Sequence, residues 1–159
     1  MNAVLSSKLL RIRDWRGAGS RMAAHAHIAD AATDDEAGAP ALTAGEYALF
    51  AQVARTRRVE AGQRLFLRGD LGTTMYVIAR GAVDLDFGDD LVGKRLGPRE
   101  FFGELGLLIG DHARSAEAVV AEDGGLLELG RGEFDALAER DPALLSQFLR
   151  RAIMRVVFN

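Results

Sequence analysis

The spacing of hydrophobic and polar positions changes twice along this chain, from a helical period to a period near two and back again. From residue 41, Leu42, Tyr47, Phe50 and Val53 recur at helical intervals, and Thr43 and Glu46 stand at the spacing of a capping box, which predicts one short helix. Between Val59 and Leu129 the apolar runs are short. Val83, Leu85 and Phe87 alternate with Asp84 and Asp86, as a strand with one wet face requires, and the segments Arg64 to Leu67 and Met75 to Ala79 read in the same way. Ala116 to Ala121, Leu126 to Leu129 and weaker runs between Leu91 and Leu96 bring the expected number to about eight. Glycines 62, 69, 81 and 97 are expected at turns between them.

Eight short antiparallel strands predict a mainly β domain with flanking helices, a jelly roll or a small barrel. After Gly130 the helical period returns, with Phe134, Leu137 and Ala138 on one face. Asp141 followed by Pro142 then offers an N-cap and a first-turn proline for a second helix, whose apolar stripe is Leu145, Phe148, Leu149, Ala152, Ile153 and Val156. Arg150, Arg151 and Arg155 load its C-terminal half, where positive charge suits the helix dipole.

Residues 1–40 depart from this pattern. Alanine, glycine and charged residues dominate, Trp15 is the only aromatic, and the segment ends in Gly38-Ala39-Pro40, so the expected division is a mobile tail over 1–40 and one domain over 41–159. A basic helix near residues 3–15, an alternative start at Met22, and metal binding by His25 and His27 with outside help are lesser readings of the tail. The 159 residues suffice for one domain with a core. A net charge of −3 leaves only a local surface to attract nucleic acid or anionic lipid. The absence of cysteine removes disulfides, thiolate metal sites and cysteine nucleophiles. Neither a membrane span nor a signal peptide is legible, which predicts a cytoplasmic protein without a membrane partner.

The chemistry concentrates in FFGELGLLIGDHARSA, residues 101–116. A phosphodiester calls for backbone N–H groups where glycine permits close approach, and for a guanidinium whose forked donors match its oxygens. Gly103 and Arg114 suit those roles. A neighbouring ribose hydroxyl calls for an acceptor, which Glu104 supplies, and Ser115 adds a hydroxyl donor. Leu105, Leu107 and Leu108 would anchor the segment. Taken singly, Glu104 and Arg114 could be a surface ion pair worth at most about 1 kcal/mol. His112 reads as an exposed loop residue.

In GELGL and RSA, with the gap between them, the segment resembles the phosphate-binding cassette of the cyclic-nucleotide-binding domain family, and residues 62–85 resemble that family's turn-and-strand signature. The resemblance runs from about residue 56 to the C-terminus. It implies an eight-stranded jelly roll with a short N-terminal helix and a C-terminal helix pair, acting as a regulatory module and not as an enzyme. It further implies that Glu104 holds the ribose hydroxyl, that Arg114 holds the cyclic phosphate, and that Gly103, Leu105 and Ser115 complete the contacts. Ala116 and Asn159 are further candidate contacts. The expected ligand is cAMP, with cGMP as an alternative, and no cofactor or metal is expected.

The expected partner is an unidentified effector protein, because no helix-turn-helix for DNA follows the last helix. A homodimer through that helix is compatible with the resemblance. Three other readings compete: a scaffold of the same fold with an empty or repurposed pocket, a metal-dependent jelly-roll enzyme, and a DNA-binding regulator. The enzyme would need a histidine and carboxylate cluster, yet only His112 lies in the domain.

Overall fold

The computed structural model describes residues 41–110 and 112–158, so the expectations placed on the 1–40 tail and on Asn159 lie outside the described residues. The chain divides into two compact units, one of which is Ala41–Leu145, while the chain from Ser146 onward falls in the other.

The first unit opens with α1 (Ala44–Val53), followed by β1 (Arg55–Val59), β2 (Arg64–Phe66), β3 (Met75–Asp86), β4 (Lys94–Leu96) and β5 (Phe101–Phe102). A short helix, α2 (Glu104–Ile109), precedes β6 (Glu117–Leu129), and α3 (Arg131–Arg140) and α4 (Pro142–Phe158) follow. The strands form one antiparallel sheet in the order β1-β6-β3-β4, with β2 added to β6 and β5 to β3.

Among the described residues six strands stand where eight were expected, and the reason is local. β3 and β6 are each long enough to do the work of two. They pair along their whole length, from Met75 opposite Leu129 to Asp86 opposite Glu117, with register shifts between Ile78 and Val83 that divide the ladder into two straight stretches. Gly81 sits at this bend with φ +92°, and a Cβ there would come within 2.7 Å of the carbonyl oxygens of Glu122 and Asp123. Glycine therefore bends a continuous strand here instead of ending it, as at a bulge. Gly62 and Gly69 do occupy turns, both with positive φ.

Both faces of the central ladder are covered. Met75 and Val77 lie opposite Leu129 and Leu127 on one face, and Ile78 lies opposite Leu126 on the other; all six are buried. α1 and α3 pack against each other and against β6. Phe134 and Leu137 carry the contact face of α3, whereas Ala138, expected beside them, is exposed.

The predicted capping box is present in α1: Glu46 N–H donates to Thr43 Oγ1 at 3.1 Å, and Thr43 N–H donates to Glu46 Oε1 at 2.9 Å. Glu46 is fully buried, so its carboxylate is committed to structure and not to solvent. Glu46→Ala is expected to lower the unfolding free energy by about 1 to 2 kcal/mol, from the lost cap and the orphaned Thr43 N–H. Equilibrium urea unfolding checks this, and an unchanged midpoint would contradict it.

The start of α4 follows the sequence reading, with Leu144 N–H donating to Asp141 Oδ1 at 3.0 Å and Pro142 in the first turn. Along that helix Leu145, Phe148 and Ala152 are buried, but Ile153, assigned to the same stripe, is 49% exposed. At 100° per residue Ile153 stands about 80° round from Leu145, at the margin of the stripe.

Candidate functional site

The residues singled out in 101–116 gather around one side chain. Arg114 is only 7% exposed. Its Nη1 donates to the carbonyl of Gly103 at 3.0 Å, its Nη2 donates to the carbonyl of Thr74 at 2.8 Å, and Cζ lies 4.4 Å from the centre of the Phe66 ring. Its backbone is equally fixed: Arg114 N–H donates to Asp70 O at 2.7 Å, and Gly69 N–H donates to Arg114 O at 2.8 Å. The isolated bridge between Leu71 and Ala113 continues this contact between the two loops. A guanidinium has five N–H donors, and two of them go to the carbonyls. The remainder have no protein partner among the described residues.

Three glycines make room for that guanidinium. A Cβ on Gly72 would collide with Arg114 Nε, Cζ and Nη2, and a Cβ on Gly106 would collide with the carbonyl of Gly72. Gly103 combines both demands of its position. Its φ of +77° places it in the left-handed region at the N-cap of α2, and a Cβ would lie 2.7 Å from Arg114 Nη1 and 3.0 Å from Thr74 O.

The electrostatics follow from the burial. Desolvation pulls the Arg114 guanidinium below its ordinary pKa, and Tyr76, Glu104 and Asp70 push it back up. Burial is also the main cause of the raised pKa of Tyr76, with Glu128 adding to it and Arg114 opposing. An arginine stays protonated in any such setting, so the buried positive charge is best offset by a bound anion. Phe66, Tyr76 and Phe102 form an aromatic cluster beside it, with ring centres 5.2 to 6.1 Å apart.

Glu104 opens α2, is half-buried, and interacts electrostatically with Arg114. Leu105 and Ala116 are buried, which leaves their backbone groups as the available contacts, and Ser115 is half-buried next to Arg114. α2 has only six residues, so individual N–H groups of its first turn matter here more than a helix dipole. The surface ion-pair reading of Arg114 does not survive its burial between two backbone carbonyls.

His112 is not the exposed residue expected: it is half-buried and its Nε2 is buried without a hydrogen-bond partner. Burial, with Arg114 adding to it, lowers its pKa below the usual histidine value. Sequence reasoning missed Phe66, Thr74 and Tyr76, which come from β2, from the loop before β3 and from β3 respectively. The run Gly72-Thr73-Thr74 and the second glycine of GELGL were the visible signals. Among the described residues there is no cluster of histidine and carboxylate side chains able to hold a metal, and no helix long and apolar enough to cross a membrane.

A putative potassium channel protein of Rhodopseudomonas palustris is 37% identical over 65% of this chain and 25% of its own length. The cyclic AMP receptor protein of Thermus thermophilus is 43% identical over 57% of this chain and 47% of its own. The chain thus spans a quarter to about half of the length of these curated relatives. A solved structure connected with a cyclic-GMP-dependent signalling pathway that regulates bacterial phytopathogenesis is 55% identical, with a TM-score of 0.72, over 75% of this chain and 97% of that one. The catabolite activator protein of Thermus thermophilus aligns with a TM-score of 0.60 at 33% identity, over 73% of this chain and 55% of that one. The family model for the cyclic nucleotide-binding domain matches residues 56–141, the span that holds every strand from β2 to β6 and the whole Arg114 cluster. This chain belongs to the cyclic nucleotide-binding domain family.

Proposed function

We propose that this protein is a cytoplasmic sensor that binds a 3′,5′-cyclic purine nucleotide at Arg114 and passes the signal to a partner protein. The observation that carries this reading is the burial of Arg114 in a fixed orientation, with donors to spare, beside Gly103 and Glu104. Arg114 takes the cyclic phosphate, together with first-turn N–H groups of Gly103 to Leu105 and the Ser115 hydroxyl. Glu104 accepts a hydrogen bond from the ribose. Arg114 is buried with N–H donors beyond the two that its carbonyl partners use, and this supports the ligand-binding reading over an empty scaffold.

The first ligand reading is cAMP, supported by GELGL and RSA and by the likeness to the Thermus thermophilus cyclic AMP receptor protein. The 55% identity to the structure tied to a cyclic-GMP-dependent pathway favours cGMP as the second. The cassette does not separate them, because phosphate and ribose are common to both and only the purine differs. Calorimetric titration with cAMP, cGMP and AMP in parallel decides it. Binding of one cyclic nucleotide with little response to AMP supports the proposal, and no heat from either cyclic nucleotide overturns it. Glu104→Ala is expected to weaken the preferred nucleotide by about 1.5 to 3 kcal/mol, the value of one charge-assisted hydrogen bond.

The output is proposed to run through α4. Nucleotide addition is expected to slow hydrogen exchange across residues 148–158 as well as across 103–115. Protection restricted to the cassette would remove this helix from the signalling route.

A further inference from the structure

A second charged feature lies away from the Arg114 cluster, where β1, β6 and β3 run side by side. Arg58 pairs with Gly125, and Gly125 pairs in turn with Arg80, so the three residues form one row across three adjacent strands. Register shifts stand on both sides of Arg80 in this ladder, so its place beside Arg58 is given not by regular alternation but by the one cleft that both arginines line. Two arginines therefore flank a position with no side chain. They line a cleft of about 230 Å³ with Thr56, Arg57 and the backbone of Gly124 and Gly125 as its floor. Adjacent strands are about 4.8 Å apart, so the two Cα atoms are separated by about 10 Å, a span that two arginine side chains can close over Gly125.

The floor is kept bare in two different ways. A Cβ on Gly124 would collide with the carbonyl of Arg80, so that position admits no side chain. A Cβ on Gly125 would meet only Arg57 O at 3.8 Å, an ordinary contact, so packing does not require glycine there. The register shift at Ile78 to Arg80 brings Arg80 into the row. The charges differ as well. Arg57 Nη1 is paired with Glu128 Oε2 at 2.9 Å, whereas the exposed guanidinium groups of Arg58 and Arg80 have no ion-pair or hydrogen-bond partner among the described residues. In a chain of net charge −3 these are two guanidinium groups without a paired carboxylate.

We propose that this cleft is a docking site for an acidic segment of a partner protein, whose carboxylates bridge Arg58 and Arg80 over the Gly125 backbone. Charge complementarity and the forked geometry of guanidinium select carboxylate. The open, solvated setting selects an extended segment over a small anion, since a lone oxyanion between exposed arginines gains little in water. The cleft lies six residues along β3 from Thr74, about 20 Å at strand spacing, so the inference stands apart from the nucleotide site.

The test uses the 159-residue chain and a fluorescein-labelled peptide of glutamates, read by fluorescence anisotropy. Saturable binding that weakens with salt is expected, with a loss of about tenfold or more in the double variant Arg58→Ala/Arg80→Ala. Arg131→Ala, which removes an exposed arginine outside the cleft, should leave the affinity unchanged. Gly125→Asp supplies a carboxylate between the arginines and should abolish peptide binding while keeping both of them. Thermal melts establish that each variant is folded. Absence of saturable binding, an equal loss in Arg131→Ala, or full displacement of the peptide by inorganic phosphate at concentrations matching the peptide would overturn the proposal.

Discussion

Replacing Arg114 with alanine is expected to remove most of the nucleotide affinity, by about 2 to 5 kcal/mol, the range for truncating one member of a desolvated charge pair. The side chain is 7% exposed and reaches the ligand position already oriented by Gly103 O and Thr74 O, so little ordering entropy has to be supplied on binding. Its removal also leaves two carbonyls without their donors, and a modest fall in thermal stability should accompany the loss of binding. Calorimetry on the variant measures the first effect and thermal unfolding the second. Wild-type affinity in a folded Arg114→Ala protein would show that the phosphate is held elsewhere.

Gly72→Ala is expected to cost affinity on the scale of Glu104→Ala although Gly72 offers no functional group. The new methyl would occupy the space of the guanidinium, and Arg114 must then leave its two carbonyl partners. Affinity should fall by about 1 to 3 kcal/mol, the usual range for forcing extra volume into a packed site. The double variant Gly72→Ala/Arg114→Ala should bind no worse than Arg114→Ala alone, because the added methyl acts only through the arginine. Additive losses in the two would assign Gly72 an independent role.

The contrast between Arg114 and Gly72 shows how far the sequence carries. GELGL and RSA mark Gly103, Glu104, Arg114 and Ser115 as candidates directly, since chemistry at fixed local spacing is legible in one dimension. Thr74 and Phe66 are contributed to the same guanidinium by residues 40 and 48 positions earlier, a backbone carbonyl and a ring, and neither leaves a local signature. The strand count diverged for a similar reason. Gly81 has the composition of a turn residue, yet the Glu122 and Asp123 carbonyls pressing on it turn that position into a bend inside one ladder. The helices read more accurately, because the Thr43–Glu46 box and the Asp141 cap are satisfied within four residues of chain.

The pairing of β3 with β6 also governs the order in which the molecule forms. Met75 meets Leu129 and Asp86 meets Glu117, so this ladder encloses residues 87–116, which include β4, β5, α2 and Arg114 itself. Closing so wide a loop carries its entropic penalty before any contact across the ladder can compensate, which places the chain among slow-folding topologies. Thr74 cannot present its carbonyl to Arg114 until that closure is complete. Nucleotide binding is therefore expected to be regained late in refolding, with a stopped-flow signal from bound ligand trailing the recovery of β-structure seen by circular dichroism.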